Sequence, residues 1–306
     1  MLLTAALLAA APVVTEIKAP GPQGSLAGTL VDAGDGSPVV LIVPGSGPTD
    51  REGNNPLGIT AASYRLLAEG LAQEGVSSVR VDKRGMFGSK AAVPDPNAVT
   101  VADYAADVHA WVGALRQRTG NRCVWVLGHS EGGTVALAAA QKPEGICGVI
   151  SVAASGRRVG DIMRAQLRAN PANAPLLDPA MKALDELEAG RRVSAEALPG
   201  PLLSLFAPQV QGFLIDLLAQ DPTKLAASLT VPLLIVQGET DLQTSVEDAR
   251  LLAAAQPKAR LVLVPGVNHV LKAAPLERAA NLATYADPSL PLAPAVVEAV
   301  ARFVKP

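Results

Sequence analysis

Ser130 lies at the centre of a Gly-x-Ser-x-Gly sequence that runs from Gly128 to Gly132. The apolar run 123–127 precedes it, and small residues typical of a closely packed helix follow it. A serine on such a sharp strand-to-helix turn needs glycine neighbours, and its hydroxyl projects from the strand end. The alternative interpretation is an ordinary glycine-rich turn. The strand before the serine and the helix after it favour a nucleophile.

A serine hydroxyl is a poor nucleophile at neutral pH and requires a base, and the chain has three histidines, His109, His129 and His269. His129 directly precedes the serine, where its side chain should point away from the Ser130 hydroxyl. His109 falls inside a predicted helix and is interpreted as a surface or packing residue. His269 follows the last apolar strand through the loop 265–268, where parallel sheets place their binding sites. We therefore predict His269 as the base, against the alternative of a solvent-exposed loop histidine.

The base needs a carboxylate that holds its tautomer and stabilises the imidazolium. Asp241 ends the loop that follows the predicted strand 232–236. Its rivals are Glu239, which is nearby, and Glu247 and Asp248, which lie further along the chain. We favour Asp241 because it lies just beyond the strand end and completes the order serine, aspartate, histidine that is expected for this constellation.

Acyl transfer also requires hydrogen-bond donors for the oxyanion. One should be the backbone N–H of Glu131, the residue after the nucleophile. The glycine-rich loop 44–54 is placed to supply the second, with the N–H of Ser46 as the first choice and that of Gly45 as the second. A tight loop of turn-forming residues is the alternative interpretation of this segment. The chemistry calls for neither metal nor cofactor.

The elements that must position these residues alternate between strands and helices. Helical patterns occur at 61–74, 101–118, 133–141, 246–255 and 294–303. Eight strands are predicted, at 13–19, 25–31, 38–43, 77–81, 123–127, 148–153, 232–236 and 260–264. The first two should pair as an antiparallel hairpin at an edge. The alternation predicts an α/β fold with a mostly parallel eight-stranded sheet and helices on both faces.

The alternation stops between residues 156 and 229, where helical patterns recur without a strong strand. We interpret this segment as a helical lid inserted into a core formed by 13–155 and 230–306, with helices predicted at 157–168, 179–188 and 208–219. Four of its apolar residues could line an acyl pocket or, as the favoured interpretation, pack the lid against the core: Leu202, Leu203, Leu205 and Phe206.

Composition narrows the function classes. The chain has 306 residues, of which 49% are apolar, enough for a substantial core. Charged residues make up 18%, the formal net charge is −2 and aromatic residues are 3%. A nucleic-acid partner is not expected, because the chain has neither a basic excess nor many rings on which bases could stack.

Residues 1–12 are apolar and end in small residues, as the core and cleavage region of a secretory signal do, although they lack a basic start. We predict export to the periplasm or beyond, with the cytoplasm as the alternative. No later stretch is predicted to cross a bilayer. Cys123 and Cys147 are interpreted as two small buried side chains. A single bridge between the neighbouring strands is the alternative if the chain is exported.

The motifs at 128–132 and 81–85, with the Asp241 and His269 loops, resemble the serine hydrolases of the α/β-hydrolase superfamily over nearly the whole chain outside the lid. The loop 44–54 is similar to that of bacterial carboxylesterases of the thermophilic esterase D type, many of which carry export signals. Pro44 stands where many members of the superfamily have histidine, a change that leaves the backbone donors in place.

The resemblance implies hydrolysis of carboxylic esters through an acyl-enzyme, and we expect small, uncharged, short-acyl substrates. Amide or peptide hydrolysis and acyl transfer to an alcohol share the first half-reaction and stay open, as does a non-catalytic binding role. Dehalogenation is disfavoured because the elbow residue is a serine, and phosphoryl transfer because a phosphate-binding Gly-Lys-Ser/Thr loop is missing. Natural substrate and oligomeric state stay undetermined.

Four charged residues near strand ends could bind substrate, but we favour hydrogen bonds and ion pairs that hold loops in place: Asp50, Arg51, Asp82 and Arg84.

Overall fold

The computed structural model describes residues 12–305. The segment 1–12, for which a secretory signal is predicted, therefore lies outside the described residues except for Pro12. The described part contains the eight predicted strands: β1 (Val13–Pro20), β2 (Ser25–Asp32), β3 (Val39–Val43), β4 (Ser77–Val81), β5 (Val124–His129), β6 (Ile146–Val152), β7 (Leu233–Gly238) and β8 (Arg260–Val264).

These strands form one sheet in the order β1-β2-β4-β3-β5-β6-β7-β8. The hairpin of β1 and β2 is antiparallel and lies at one edge, as predicted, and β2 is also antiparallel to β4. All other neighbouring pairs are parallel. The chain places β4 on one side of β3 and then β5 on the other, so the strand order changes direction between β3 and β5. Because these two central strands are parallel, their carboxyl ends lie side by side. In such sheets ligands bind at this position.

The described residues contain eleven α-helices, of which the first nine lie between strands and the last two follow β8. They are α1 (Ser63–Gln73), α2 (Val101–Thr119), α3 (Glu131–Ala139), α4 (Val159–Ala169), α5 (Leu177–Glu188), α6 (Leu203–Phe206), α7 (Gln211–Leu218), α8 (Pro222–Ala227), α9 (Val246–Ala255), α10 (Arg278–Ala283) and α11 (Pro294–Val304). Short 3₁₀ helices add Phe87–Ala92, Pro171–Leu176, Ala195–Ala197, Gly200–Leu202, Pro208–Val210 and Thr284–Ala286.

Helices cover both faces of the sheet, as predicted. Alternate residues of β3 show why: Val39 and Leu41 join an apolar cluster with α2, α3 and α9, whereas Val40 and Ile42 join a second cluster with α1 and α11. All five residues of β3 are buried, because successive side chains of a strand point to opposite faces and both faces are covered. The predicted fold class is therefore confirmed.

The segment between β6 and β7 is helical and contains α4 to α8. It has an apolar cluster of its own around Phe206 and Leu202. Leu203 packs against this cluster and Leu205 is exposed. The prediction that these four side chains pack the lid against the core is therefore wrong. They pack within the insertion or face solvent.

One stretch of this insertion contradicts the prediction that no segment after the N-terminus is long and apolar enough to cross a bilayer. Among the described residues, Gly200–Leu218 is long and apolar enough to do so by length and composition alone. In the fold, however, it is divided into four short helical pieces, with Pro208 beginning the third.

The favoured prediction for the two cysteines is also wrong. Cys123 and Cys147 form a disulfide, with Cα atoms 5.1 Å apart, instead of two separate buried side chains. Cys123 precedes β5 and Cys147 lies in β6, the strand paired with it, where the register shifts by one residue. Because β5 leads directly to Ser130, the bridge fastens the strand that carries the elbow to its neighbour.

Candidate active site

Ser130 occupies a sharp turn between the end of β5 and the start of α3. Its backbone has φ 55° and ψ −123°, a left-handed conformation that non-glycine residues rarely adopt. Its N–H donates to the carbonyl oxygen of Val152 at 3.0 Å, which ties the turn to β6. The strain of such a backbone is typical of a side chain held out for chemistry.

The two flanking glycines are required because other backbone atoms occupy the space of their side chains. A Cβ on Gly128 would overlap the carbonyl oxygen of Gly132, and a Cβ on Gly132 would overlap that of Val43. The close contact between Gly132 and the end of β3 brings the elbow against the loop 44–54. This explains the Gly-x-Ser-x-Gly spacing in steric terms.

His269 and Asp241 are in contact although 28 residues separate them in the chain. The His269 Nδ1 atom lies 2.8 Å from the Asp241 Oδ2 atom, and both side chains are almost entirely buried. Asp241 follows β7 and His269 follows β8, so two neighbouring parallel strands deliver them to the same edge. With its Nδ1 proton donated to the carboxylate, the imidazole has Nε2 free to accept a proton.

Further hydrogen bonds hold the Asp241 carboxylate in its ionised form. It accepts from the N–H groups of Gln243 at 2.7 Å and Thr244 at 3.0 Å, and from the Thr244 hydroxyl at 3.0 Å. Burial on its own would raise the pKa of Asp241, but the His269 ring and these donors bring the pKa below its usual value. Asp241 is therefore suited to stabilise an imidazolium.

The rival carboxylates lie elsewhere. Asp248 is paired with the guanidinium of Arg157, at 2.9 and 2.7 Å, and caps α9. Glu239 and Glu247 are exposed. The contact with His269 is thus made by Asp241, the residue predicted for it.

Ser130 and His269 line one cleft of about 530 Å³, counted out to its open mouth. Its walls come from the loop after β3, the start of α1, the elbow and the loops after β7 and β8. Its other lining residues are Gly45, Ser46, Thr49, Gly53, Asn55, Ile59, Ser63, Tyr64, His129, Gln243, Val270 and Tyr285. Among the described residues, none of the insertion lines this cleft, so Leu202, Leu203, Leu205 and Phe206 do not form an acyl pocket here.

Two backbone N–H groups at the cleft are available for an oxyanion. The N–H of Glu131 is the first of α3 and so has no acceptor within its helix. The N–H of Ser46 has no acceptor among the described residues, whereas that of Gly45 donates to the Tyr64 hydroxyl at 3.0 Å. Of the two predicted donors in this loop, Ser46 is therefore the free one.

His129 links this loop to the loop of His269. Its Nε2 atom lies 2.9 Å from the carbonyl oxygen of His269, which can only accept, so Nε2 carries the proton. Its Nδ1 then accepts from the Tyr64 hydroxyl at 2.9 Å, and the Tyr64 oxygen accepts from Gly45. Burial and the nearby His269 ring lower the pKa of His129 to about 3, which keeps it neutral. Sequence reasoning missed Tyr64, because nothing in a helical pattern singles out this hydroxyl.

His109 lies in α2 and donates from Nε2 to the carbonyl oxygen of Ala139 at 3.0 Å. Its contact is with the end of α3, so the predicted packing role is confirmed. Of the three histidines, His269 is the one that has a carboxylate partner.

The charged residues near the strand ends hold loops, as predicted. Asp82 accepts from the N–H of Arg51 at 3.0 Å, and Arg84 makes a two-pronged contact with Asp107 at 2.7 Å for each pair of atoms. The Asp50 carboxylate accepts from two N–H groups of its own loop. These contacts give rigidity to the loops after β3 and β4, the first of which lines the cleft. Within residues 12–305 the structure shows no group of three or more His, Cys, Asp or Glu side chains that could hold a metal ion.

Comparison with known proteins agrees with this architecture. The model of the alpha/beta hydrolase family matches residues 39–284, most of the chain. A curated relative, the esterase EstD of Thermotoga maritima, is 27% identical over 241 residues, which cover 76% of this chain and 54% of that protein. The chain thus spans about half the length of this relative.

Solved structures with the same fold include a thermophilic esterase of Thermogutta terrifontis, at 20% identity and a TM-score of 0.56, covering 95% of this chain and 100% of that one. Est1E of Butyrivibrio proteoclasticus is 16% identical with a TM-score of 0.56 and covers 94% and 96%. At these identities the likeness concerns the fold. The family match over residues 39–284, together with the eight-stranded sheet, shows that the chain belongs to the alpha/beta hydrolase family.

Proposed function

We propose that this protein is a serine carboxylesterase in which Ser130 is the nucleophile, His269 the base and Asp241 the residue that orients the base. The observation that carries the proposal is that Ser130 and His269 line one cleft while His269 contacts the buried carboxylate of Asp241 at 2.8 Å. The similarity to the Thermotoga esterase supports esters as the substrate class.

In the first half-reaction, His269 Nε2 takes the proton of the Ser130 hydroxyl as its oxygen attacks the ester carbonyl carbon. The carbonyl π electrons move to oxygen, and the N–H groups of Ser46 and Glu131 stabilise the oxyanion. When the intermediate collapses, the bond to the alcohol oxygen breaks and the His269 imidazolium gives its proton to the departing alcohol. The acyl group is then bound to Ser130.

In the second half-reaction a water molecule replaces the alcohol. His269 accepts a proton from the water, the hydroxide oxygen bonds to the acyl carbon, and the same two N–H groups stabilise the second oxyanion. Collapse breaks the bond to the Ser130 oxygen, which recovers its proton from His269. The carboxylic acid product leaves, and the enzyme returns to its starting state.

We propose that the cleft takes short acyl groups, because its volume of about 530 Å³ already includes the open mouth. Its lining includes backbone and small side chains of the loop 44–54, together with Tyr64, Val270 and Tyr285. Gln166 of α4 donates to the carbonyl oxygen of Gln243, a lining residue, at 2.9 Å. We propose that the insertion acts as a lid through this contact, by holding the rim of the cleft rather than by filling it.

We propose in addition that the chain is exported. The apolar residues 1–12 are consistent with a secretory signal, and the Cys123–Cys147 bridge is a feature that persists in oxidising compartments. Cell fractionation of the full-length chain tests this: activity in the periplasm or medium supports export, and activity in the cytosol alone contradicts it.

The test of the reaction is hydrolysis of p-nitrophenyl esters from acetate to palmitate by the wild type, Ser130→Ala and the control Ser194→Ala, which alters an exposed serine in the insertion. We expect turnover of the short esters that is lost in Ser130→Ala and kept in the control. Full activity of Ser130→Ala would contradict the proposal. If the folded wild type is inactive but a fluorophosphonate labels Ser130, amides and lactones become the candidate substrates, and failure of labelling favours a binding role.

A further inference from the structure

Lys83 is a buried lysine that the reaction described above does not use. It follows β4 by two residues, and its side chain is 5% exposed. Burying an ammonium group is costly, and an apolar side chain of similar volume is often as stable or more so at such a site. The positions of the groups that contact the Lys83 ammonium indicate the role of its charge.

The Lys83 ammonium group has three neighbours, two of which belong to the oxyanion site. It donates to the carbonyl oxygen of Gly45 at 2.7 Å, and it lies 3.5 Å from the carboxylate of Glu131. Its third neighbour is the ring of Tyr104, whose centroid is 5.5 Å away. Burial lowers the pKa of Lys83, and the Glu131 carboxylate opposes this shift.

The bond to Gly45 has a geometric consequence for the next residue. The carbonyl oxygen of Gly45 and the N–H of Ser46 belong to one planar peptide, and residues 12–305 contain no cis peptide bond. In a trans peptide these two groups point in opposite directions. The lysine that holds the Gly45 oxygen therefore also sets the direction of the Ser46 N–H.

The Gly45 backbone is restrained at its other end and lies against the nucleophile. Its N–H donates to the Tyr64 hydroxyl at 3.0 Å. A Cβ on Gly45 would lie 3.1 Å from the Cβ of Ser130, which shows how closely this loop approaches the elbow. Glycine is the residue that permits this approach, and glycine by itself leaves the peptide free to rotate. Contacts to both of its polar groups restrict that freedom.

We propose that Lys83 is a positioning residue of the oxyanion hole, which holds the Gly45 carbonyl so that the Ser46 N–H faces the cleft beside Ser130. The proposal rests on the serine carboxylesterase function proposed above. Glu131 completes the arrangement, because its side chain binds the lysine while its backbone supplies the second N–H. One ion pair thus links the two donors of the hole.

The experiment compares Lys83→Met with the wild type and with Lys90→Met, which removes an exposed lysine seven residues away. Loss of one oxyanion donor typically lowers kcat by about 10²- to 10³-fold, so misdirection of the Ser46 N–H should lower it by about 10- to 100-fold. We expect KM to change little. Affinity for a trifluoromethyl ketone, which forms a tetrahedral adduct with Ser130, should fall by the same factor as kcat, and Lys90→Met should match the wild type.

A second pair of variants covers the case in which Lys83→Met leaves Glu131 as an unpaired buried charge and does not fold. Lys83→Met/Glu131→Gln removes both charges, and its reference is Glu131→Gln, which keeps the lysine. We expect the double variant to be at least about 10-fold slower than this reference. The rate at which a fluorophosphonate labels Ser130 gives the same comparison without ester turnover.

These outcomes separate the two proposals. A wild type without Ser130-dependent ester hydrolysis counts against the esterase function alone, and the labelling rates still report on Lys83. If the lysine variants fold and their kcat, ketone affinity and labelling rates all stay within about twofold of their references, the positioning role is wrong. A loss of kcat with unchanged ketone affinity also overturns it, because the oxyanion is then held as before.

Discussion

Asp241 contacts His269 through one hydrogen bond, and four other donors orient its carboxylate, one of which is the side-chain amide of Gln237 at 3.2 Å. The N–H groups of Gln243 and Thr244 and the Thr244 hydroxyl leave it little rotational freedom. An asparagine of the same shape could present its amide N–H₂ to Nδ1 and thereby favour the other histidine tautomer. The charge of Asp241, and not only its shape, is therefore required by the proposed mechanism.

We predict that Asp241→Asn lowers kcat for a short p-nitrophenyl ester by about 10³- to 10⁴-fold, because the imidazole is then held in the wrong tautomer. The variant should remain folded, as its thermal melting will show. Glu239→Gln, which alters an exposed carboxylate in the same loop, is the control and should stay within about twofold. Equal losses in both variants would mean that Asp241 has no special role.

Tyr64 affects the site indirectly, through Gly45 and His129. Its hydroxyl accepts from the Gly45 N–H and donates to His129 Nδ1. Tyr64→Phe therefore leaves a buried N–H and a buried ring nitrogen without their partner. We predict a loss of about 1–3 kcal/mol in the free energy of unfolding, measured in urea, together with a fall in kcat. Tyr104→Phe is the comparison, because the Tyr104 ring lies beside Lys83 and its hydroxyl makes no hydrogen bond within residues 12–305. Equal stability of Tyr64→Phe and wild type would show that these bonds contribute nothing.

The first turn of helix α9 binds the first residues of the insertion. The Asp248 carboxylate caps α9 and accepts from the N–H groups of Gly156 and Arg157 and from the Arg157 guanidinium. Burial would raise the pKa of Asp248, but hydrogen bonds from Arg157 and from the N–H and hydroxyl of Ser245 lower it to about 2, from an ordinary value of 3.8. One carboxylate thus joins the strand β7 side of the core to the start of the insertion.

We predict that this carboxylate makes stability depend on acid pH. Its pKa is lower in the folded state, so its contribution of about 1–2 kcal/mol is present above pH 3.8 and is lost as the pH falls through about 2. Urea unfolding should show Asp248→Asn less stable than the wild type at neutral pH, with a difference that shrinks near pH 2. The exposed neighbour Glu247 provides the control, as Glu247→Gln. A difference that does not vary with pH would contradict the assignment.

Gly128 shows how a single backbone contact determines the junction of β5 and α3. Its missing side chain makes room for the carbonyl oxygen of Gly132. We predict that Gly128→Ala costs more than about 2 kcal/mol in the free energy of unfolding and abolishes ester hydrolysis, because the elbow must move. Gly113→Ala in α2 is the matched control: nothing lies within 4 Å of its added Cβ, so it should be neutral or stabilising by up to about 1 kcal/mol. Similar melting temperatures for the two variants would contradict this explanation.

The whole molecule is one sheet with an inserted helical segment, and one disulfide fastens its centre. The bridge between Cys123 and Cys147 closes a loop with a sequence separation of 24. It lies at the amino ends of β5 and β6, opposite to the end that carries Ser130. Its effect should therefore be on the stability of the folded chain and not on the chemistry.

We predict that Cys123→Ser/Cys147→Ser lowers the free energy of unfolding by about 3 kcal/mol, because the unfolded chain regains the entropy that the loop closure removes. Its kcat should stay within about twofold of the wild type. Alkylation of the wild type without reductant, followed by mass measurement, checks that the bridge forms. Two alkylated thiols would show that it does not, and a double variant as stable as the wild type would show that the bridge contributes nothing.

Local sequence patterns predicted the elements and indicated the candidate residues of the site. Strands such as β8, at 260–264, and helices such as α9, at 246–255, agree with prediction to the residue, because apolar periodicity is a local property of the chain. The Gly-x-Ser-x-Gly spacing could be recognised because it is a local pattern, and the clash that fixes Gly128 lies within it. The clash that fixes Gly132 involves the Val43 carbonyl oxygen of β3 and is a tertiary contact.

Which side chains meet depends on the tertiary fold. The bonds of Lys83 to Gly45, of Tyr64 to His129 and of Arg157 to Asp248 join residues 38, 65 and 91 positions apart. No local pattern encodes such a contact, because it depends on how the parallel strands are ordered and how their loops converge at one edge of the sheet. The packing of Leu202 and Phe206 within the insertion and the bridging of the cysteines were decided in the same way. Periodicity indicates that a side chain is buried, but the fold determines what it is buried against.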